Sequence, residues 1–390
     1  MSQSKFIPPQ HNIPLIRLLQ SIFYLVGYFA FKFRLIISET DIAKTRAIAD
    51  RRVVYLPNHS NLDDAVVIFQ LSARLGQLFN YVVAIEAFRG ATGWLMQQVG
   101  AYSIRRGVGD RPSVVQTLKI LQQPQCKLVI FPEGGCSYQN DTVIPFRPGA
   151  FELSFKAMGR IAKQEGTIPD LYLVPVSLKY CYPQATAEDV SRALAELETA
   201  VNIVPAADGN NYSRLRAIAK RVLTDLETEY GVVADRLQDW NQRLEILRAK
   251  MLNYCEAKLD LNSRVQLADR ERVYQVQSIL RNLEETEKNS TINYEHIYLT
   301  TVRLLNFDAI YDGYVAENPT PERYFATIDR LEREVFQIDQ AKPKGKRKIM
   351  TTIGTPVNLK DYWQAYQTDS ATTIEGLRQT VQQEVQRNLN

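Results

Sequence analysis

At 390 residues, 45% apolar and 23% charged, the chain has the make-up of a globular protein with a sizeable core, in one large domain or two ordinary ones. Its four cysteines, Cys126, Cys136, Cys181 and Cys255, have neither CxxC nor metal-ligand spacing, so a disulfide scaffold or a zinc site is not suggested and a reducing compartment is the default. Residues 184–340 hold 19 Lys and Arg against 27 Asp and Glu, leaving 28 against 16 in the flanking parts, which therefore face something anionic: a lipid surface or a phosphorylated substrate rather than nucleic acid, whose binding signatures are absent.

The first element is LLQSIFYLVGYFAF, residues 18–31, with 14 uncharged residues between Arg17 and Lys32. A bilayer span needs about 18 or more. The segment fits either a membrane-surface helix or a buried core helix, and its aromatic content and basic ends lean to the surface. No small-residue cleavage pattern follows, as an export signal would require. From about residue 50 to 180, strand-like and helix-like stretches alternate. RVVYLPN predicts a buried strand, LDDAVVIFQLSARLG a helix, FNYVVAIEAF a strand and WLMQQVG a short helix. The alternation continues with AYSIRR, the helix SVVQTLKILQQ, the strand CKLVIF, the helix GAFELSFKAMGRIAKQ and the strand LYLVPVSLKY. Strands spaced by helices imply a largely parallel sheet covered on both faces.

After Pro183 the pattern turns to long helices. Val233, Leu237, Trp240, Leu244, Leu247, Met251 and Tyr254 are spaced 4,3,4,3,4,3, and Val273, Val276, Leu280 and Leu283 repeat the spacing. Such a narrow stripe predicts two helices packed as an antiparallel hairpin. KPKGKRK, residues 342–348, places five basic residues in seven positions and predicts a linker whose charges are solvated or lie against lipid headgroups. IMTTIGTPVNL then reads as a strand returning to the first sheet, ahead of two helices, DYWQAYQ and TIEGLRQTVQQEVQRNL. The expected fold is α/β, a mostly parallel sheet flanked by helices. An N-terminal interfacial helical segment is expected over 1–40, the α/β core over 41–183, and an acidic helical insertion over 184–341. Residues 342–390 hold the basic linker, the returning core strand and the C-terminal helices.

Three loops at strand ends carry side chains suited to chemistry. In LPNHSNLDDAVV, residues 56–67, His59 and Asp64 are five apart. On an unbroken helix that offset turns side chains about 140° from each other. They meet only if His59 lies in the loop, with Ser60 or Asn61 as N-cap and the helix beginning at Leu62. An imidazole so placed takes a proton from an attacking hydroxyl while the carboxylate on its other nitrogen fixes the tautomer. The plainer reading of Asp63 and Asp64 is as acids favoured in the first helical turn by dipole and capping. In FPEGGCSYQNDTVIPFRPGAFELS, residues 131–154, Glu133 stands at a strand mouth and Gly134 and Gly135 let backbone amides approach a ligand; the plainer reading is a glycine turn with a solvated glutamate. GAYSIRRGVGDR, residues 100–111, offers Arg105, Arg106 and Arg111 for bidentate contact with phosphate or carboxylate, or as surface charges. In a parallel sheet all three loops fall on one edge.

NHSNLDD resembles the His-x4-Asp signature of the glycerolipid acyltransferases of lysophosphatidate acyltransferase type. GAYSIRR resembles that family's second block, FPEGG its third and LVPVSLKY its fourth, in the same order and with similar separations, and IGTPV near residue 353 resembles the strand that often closes its core. The resemblance covers residues 50–180, about a third of the chain. It implies transfer of an acyl group from an acyl-acyl carrier protein or acyl-coenzyme A thioester to a glycerolipid hydroxyl, at the cytoplasmic face of a membrane where the protein is peripheral or monotopic. It implies no metal and no organic cofactor. His59 would be the general base and Asp64 its orienter; Arg106, Glu133 and Gly134 would hold the acceptor, and Pro175 would shape the acyl-chain side.

The chain departs from the family pattern at Asn61, where a serine is common, at Ser103, where a bulky apolar residue is common, and at Gly135 and Cys136, where a threonine and an arginine usually follow the PEG. The last change removes one expected phosphate ligand, for which Arg105, Arg106 or Arg147 would compensate. Nothing around Cys136 suggests an activated nucleophile. Two rivals are a lapsed scaffold whose helical insertion binds a protein partner, and a hydrolase that uses water in place of the acceptor.

Overall fold

The computed structural model describes residues 6–204, 209–233, 239–261, 267–286, 293–308 and 310–390. The chain divides into two compact units. The sheet unit holds residues 6–105, 110–181 and 346–390, and the helical unit holds 106–109 and 182–345.

In chain order the sheet unit begins with α1 (Ile13–Phe29), β1 (Phe33–Ile37), α2 (Glu39–Arg46), β2 (Arg52–Pro57), α3 (Asp64–Leu75) and β3 (Asn80–Ala84). It continues through α4 (Gly90–Gln98), β4 (Ala101–Ile104), α5 (Arg111–Gln122), β5 (Lys127–Val129), α6 (Gly149–Glu165) and β6 (Leu171–Cys181). The helical unit supplies α7 (Ala187–Ala200), α8 (Asn211–Glu229), α9 (Trp240–Lys258), α10 (Asp269–Thr286), α11 (Tyr294–Asn306), the short α12 (Tyr314–Glu317) and α13 (Pro321–Val335). The chain then returns to the sheet with β7 (Arg347–Ile353), β8 (Val357–Asn358), α14 (Trp363–Thr368) and α15 (Ser370–Arg387).

The fold is α/β, as expected: a mostly parallel sheet flanked by helices. Its strand order is β1-β7-β6-β2-β5-β3-β4, with β8 against β6. Among the described residues only the strand pairings of β7 and β8 with β6 are antiparallel. The apolar run of β2 is buried on both faces because alternate side chains point to opposite sides. Val54 and Leu56 join the core beneath α5, α6 and α15, while Val53 and Tyr55 join the one beneath α1 and α3.

The N-terminal segment differs from the expectation of an interfacial helix alone. Residues 33–37 form β1, an edge strand parallel to β7; one face of FRLII is open, so its apolar signal is weak. Helix α1 serves two environments. Ile16, Leu19 and Phe23 pack on the core, with Phe23 against Phe69 at 4.7 Å, while Leu18, Ile22, Leu25 and Phe29 form an exposed stripe. Gly27 lets α1 cross α3 closely, since a Cβ there would meet Gln70 Nε2 at 2.1 Å. Among the described residues no helix is long and apolar enough to cross a membrane.

In the helical unit α9, α10 and α11 pack on one another, a third partner beyond the expected hairpin. Of the stripe that predicted it, Val233 is exposed ahead of α9 and Leu237 lies outside the described residues. An internal repeat of 29 residues runs through α7 to α10. Glu198, Glu227 and Glu256 near three helix ends pair with Arg214, Arg243 and Arg272 at the starts of the next helices, at 2.7, 2.6 and 2.7 Å. Core positions recur in step: Leu215, Leu244 and Val273; Ile218, Leu247 and Val276. Each unit is one helix and its joint, which buries its apolar face only against neighbours.

Candidate active site

β2 ends at Pro57 next to the ends of β5 and β6, and the chain turns through residues 58–63 into α3. Asn58 anchors this loop by donating to the carbonyl of Leu178 and accepting from its N–H, at 3.1 and 2.7 Å. The loop after β5 clamps His59 by its backbone. His59 N donates to Glu133 Oε1 at 2.6 Å, and Ser137 N donates to His59 O at 2.7 Å. The imidazole lies 4.5 Å from the ring of Phe131.

The helix begins two residues later than the sequence suggests. Asn61 Oδ1 accepts from Asp63 N at 3.0 Å, and Asp64 Oδ2 accepts from Asn61 N at 2.9 Å. Asn61 therefore caps a single turn that precedes α3, and this reciprocal bond delays the regular helix to Asp64. The same turn brings Asp64 back to the histidine: His59 Nδ1–H donates to Asp64 Oδ2 at 2.9 Å. A carboxylate only accepts, which assigns the proton to Nδ1. Among the described residues Nε2 makes no hydrogen bond, and the side chain keeps 20% of its surface exposed.

Asp64 is fully buried, which a solvated helix-start acid is not. Its other oxygen accepts from the hydroxyl of Tyr180 at 2.6 Å. Burial, and then the charge of Asp64, push the Tyr180 phenol well above its ordinary range, so it stays a donor. Three donors thus offset the desolvation of one carboxylate. Tyr180 carries no signal in the sequence beyond being an aromatic at the end of a strand. The register of β6 beside β2 extends it past Pro57 to the site.

The remaining expected site residues divide. Glu133 is buried and accepts from the N–H groups of His59 and Ile144 through its two oxygens, a brace for the histidine loop. Gly134 has φ +72°, a left-handed backbone that favours glycine, and faces the guanidinium of Arg147. Arg105 follows β4, three strand spacings or roughly 14 Å from β2, and its guanidinium lies 3.6 Å from Asp110. Arg106 belongs to the helical unit, its guanidinium 4.3 Å above the ring of Tyr274. Pro175 lies within β6 in register with Leu56, and its carbonyl accepts from Gly354 N at 2.8 Å. The departure at Ser103 has a local reason, since its hydroxyl accepts from Ile7 N at 2.9 Å and ties the N-terminal segment to edge strand β4. Among the described residues no cluster of three or more His, Cys, Asp or Glu could hold a metal ion. Burial pushes the thiols of Cys126 and Cys255 up to about 11 and about 12, far from the range of a nucleophile.

A histidine held by a buried carboxylate, at the carboxyl edge of a parallel sheet and beside a PEG loop, is the arrangement that the sequence resemblance implied. Residues 38–179 match the Acyltransferase family model. The match runs from the end of β1 to the end of β6, so the matched span includes both His59 and Asp64. It leaves α1, residues 182–345 and β7 outside. Among curated proteins none matches the chain.

The basic run at residues 342–348 is not simply solvated. Lys344 pairs with Glu332 at 2.5 Å and Asp329 at 3.1 Å. Arg347 is buried, its Nη2 2.6 Å from Asp63 Oδ2. Two of the five charges in a run that reads as linker are therefore paired with acidic side chains. Their acids stand in other parts of the chain, where spacing gives no hint of them.

Proposed function

We propose that the protein transfers a fatty acyl group from an acyl thioester, carried on acyl carrier protein or coenzyme A, to a hydroxyl of a glycerolipid such as lysophosphatidate. The observation that carries this reading is the contact between His59 Nδ1 and the buried Asp64, 2.9 Å long, on a histidine whose side chain is still 20% exposed. In the reaction Nε2 removes the acceptor's hydroxyl proton as its oxygen bonds to the thioester carbonyl carbon. Asp64 stabilises the imidazolium that forms. Collapse of the tetrahedral adduct breaks the C–S bond, and the imidazolium returns the proton to the departing thiolate. With Cys136 in place of the family's arginine, Arg147 beside Gly134 is the guanidinium best placed on the PEG loop to meet an acceptor phosphate, with Arg105 further along the edge.

The reaction takes place on the cytoplasmic face of a membrane. Support comes from the exposed stripe on α1 and from the basic groups by its C-terminal end. Arg34 lies 4.8 Å over the ring of Tyr28, and Lys346 donates to the Tyr28 hydroxyl at 3.5 Å. That hydrogen bond, with the two charges, lowers the phenol's pKa. Apolar side chains flanked by such cations suit an anionic lipid surface. The test is incubation with acyl thioesters and lysophosphatidate on vesicles, with thiol and lipid products measured together. Equal amounts of thiol and diacylated product are expected. Thiol with free fatty acid would make the protein a hydrolase, and no thiol release from either donor would leave the lapsed scaffold.

A further inference from the structure

We propose that Arg347, the first residue of β7, is a positioning residue for the His59–Asp64 pair, a role that rests on the acyl-transfer reading above. Asp63 and Asp64 are neighbours in the chain and are 3% and 0% exposed. Burying two consecutive carboxylates is costly unless a cation compensates one of them. Arg347 is that cation. It is itself 3% exposed, and its Nη2 donates to Asp63 Oδ2 and to the carbonyl of Phe31, both at 2.6 Å. Its Cζ also lies 5.2 Å from the ring centroid of Tyr180, the residue whose hydroxyl is bonded to Asp64. Arg347 therefore holds Asp63 directly and backs the phenol that holds Asp64.

The chain topology delivers it there. β7 runs antiparallel to β6, with Lys348 opposite Cys181, so the start of β7 lies at the edge where β2 ends. The consequence is chemical. With Asp63 held by Arg347 and the Tyr180 ring backed by its guanidinium, Asp64 stays turned toward His59 Nδ1, so the proton of His59 stays on Nδ1 and Nε2 is kept for the incoming hydroxyl. A plain structural strut would hold the loop without setting the tautomer. The site is completed by a residue outside the matched family span of 38–179.

The test uses the full chain labelled with 15N at its three histidines. In Arg347→Met the His59 resonances of a fixed Nδ1–H tautomer give way to a mixture, and kcat falls about tenfold or more with KM unchanged. Arg347→Lys, which keeps the charge, restores part of both. D63N/R347M, which removes both charges, restores the tautomer and brings kcat to within about threefold of the parent. A wild-type His59 spectrum and kcat in Arg347→Met would overturn the proposal, as would a double variant no better than the single one. If Arg347→Met does not fold, the double variant decides: a wild-type tautomer supports the role, and a mixed one in a folded protein overturns it. The nitrogen spectrum involves no substrate. Failure of acyl transfer in the parent protein would therefore sink the functional reading while leaving the role of Arg347 to be judged by the tautomer.

Discussion

Replacement of Tyr180 by phenylalanine removes one oxygen atom and leaves the ring in place, so its effect isolates a single hydrogen bond. The lost bond is 2.6 Å long and ends on a carboxylate oxygen with no solvent exposure. A hydrogen bond to a charged group contributes about 1.5–3 kcal/mol, and the stranded acceptor adds its own desolvation penalty. We therefore expect a stability loss of about 2–3 kcal/mol for the sheet unit. The two remaining donors both act on Oδ2, so the carboxylate loses the contact that fixes its plane, and the imidazole loses alignment with it. Misplacement of this kind costs about tenfold in kcat, or roughly 1.4 kcal/mol, with KM unaltered because the phenol does not touch substrate. Denaturant titration and thiol release at saturating donor measure the two effects. A stability change under about 0.5 kcal/mol together with parental kcat would refute the claim that Tyr180 holds Asp64.

Further outcomes follow from other parts of the molecule. Leu25→Ser with Phe29→Ser removes side chains that are 56% and 73% exposed; about 3 kcal/mol of lipid contact should disappear, weakening vesicle binding roughly a hundredfold, and unchanged flotation would reject the α1 surface. Arg243→Ala strands Glu227, which is buried against it at 2.6 Å, and should destabilise the helical unit by about 3 kcal/mol, with Glu227→Gln in the same chain recovering part of the loss; a melting curve unchanged by Arg243→Ala would show that the repeated clamps are ornamental. Burial raises the phenols of Tyr55, Tyr81, Tyr102 and Tyr180 above their ordinary value of 10.0. Their folded pKa values exceed the unfolded ones, so the stability they contribute is complete below pH 10 and is lost as pH rises further, by about 1.4 kcal/mol per pH unit for each. Tyr102→Phe should make that alkaline decline shallower, and an equal slope would contradict the assignment.

Much of the sheet and half of the site were legible in the sequence, and the division has physical causes. β2, β5 and β6 are buried on both faces, so their apolar runs stand out. β1 is an edge strand with an open face, and its five residues merge into the end of an apolar helix. His59 and Asp64 are local to one turn, so spacing and capping chemistry bring them together. Tyr180 and Arg347 reach the same turn only through strand register, which no local pattern encodes. Arg347 is further hidden in a run of charges that by composition reads as solvated. The helical unit differs again. Its 29-residue repeat was present in the sequence, in the intervals between Glu198, Glu227 and Glu256 and between Arg214, Arg243 and Arg272. A search limited to heptad spacing passes over it, since the period spans a helix and its joint.

The kcat of His59→Ala, measured on folded protein with an acyl thioester and a lysophospholipid on vesicles, tests the central claim most directly. Loss of a general base predicts a fall of about 10²- to 10⁴-fold with unchanged vesicle binding. Turnover within about threefold of the parent would show that the imidazole beside Asp64 takes no proton in the reaction.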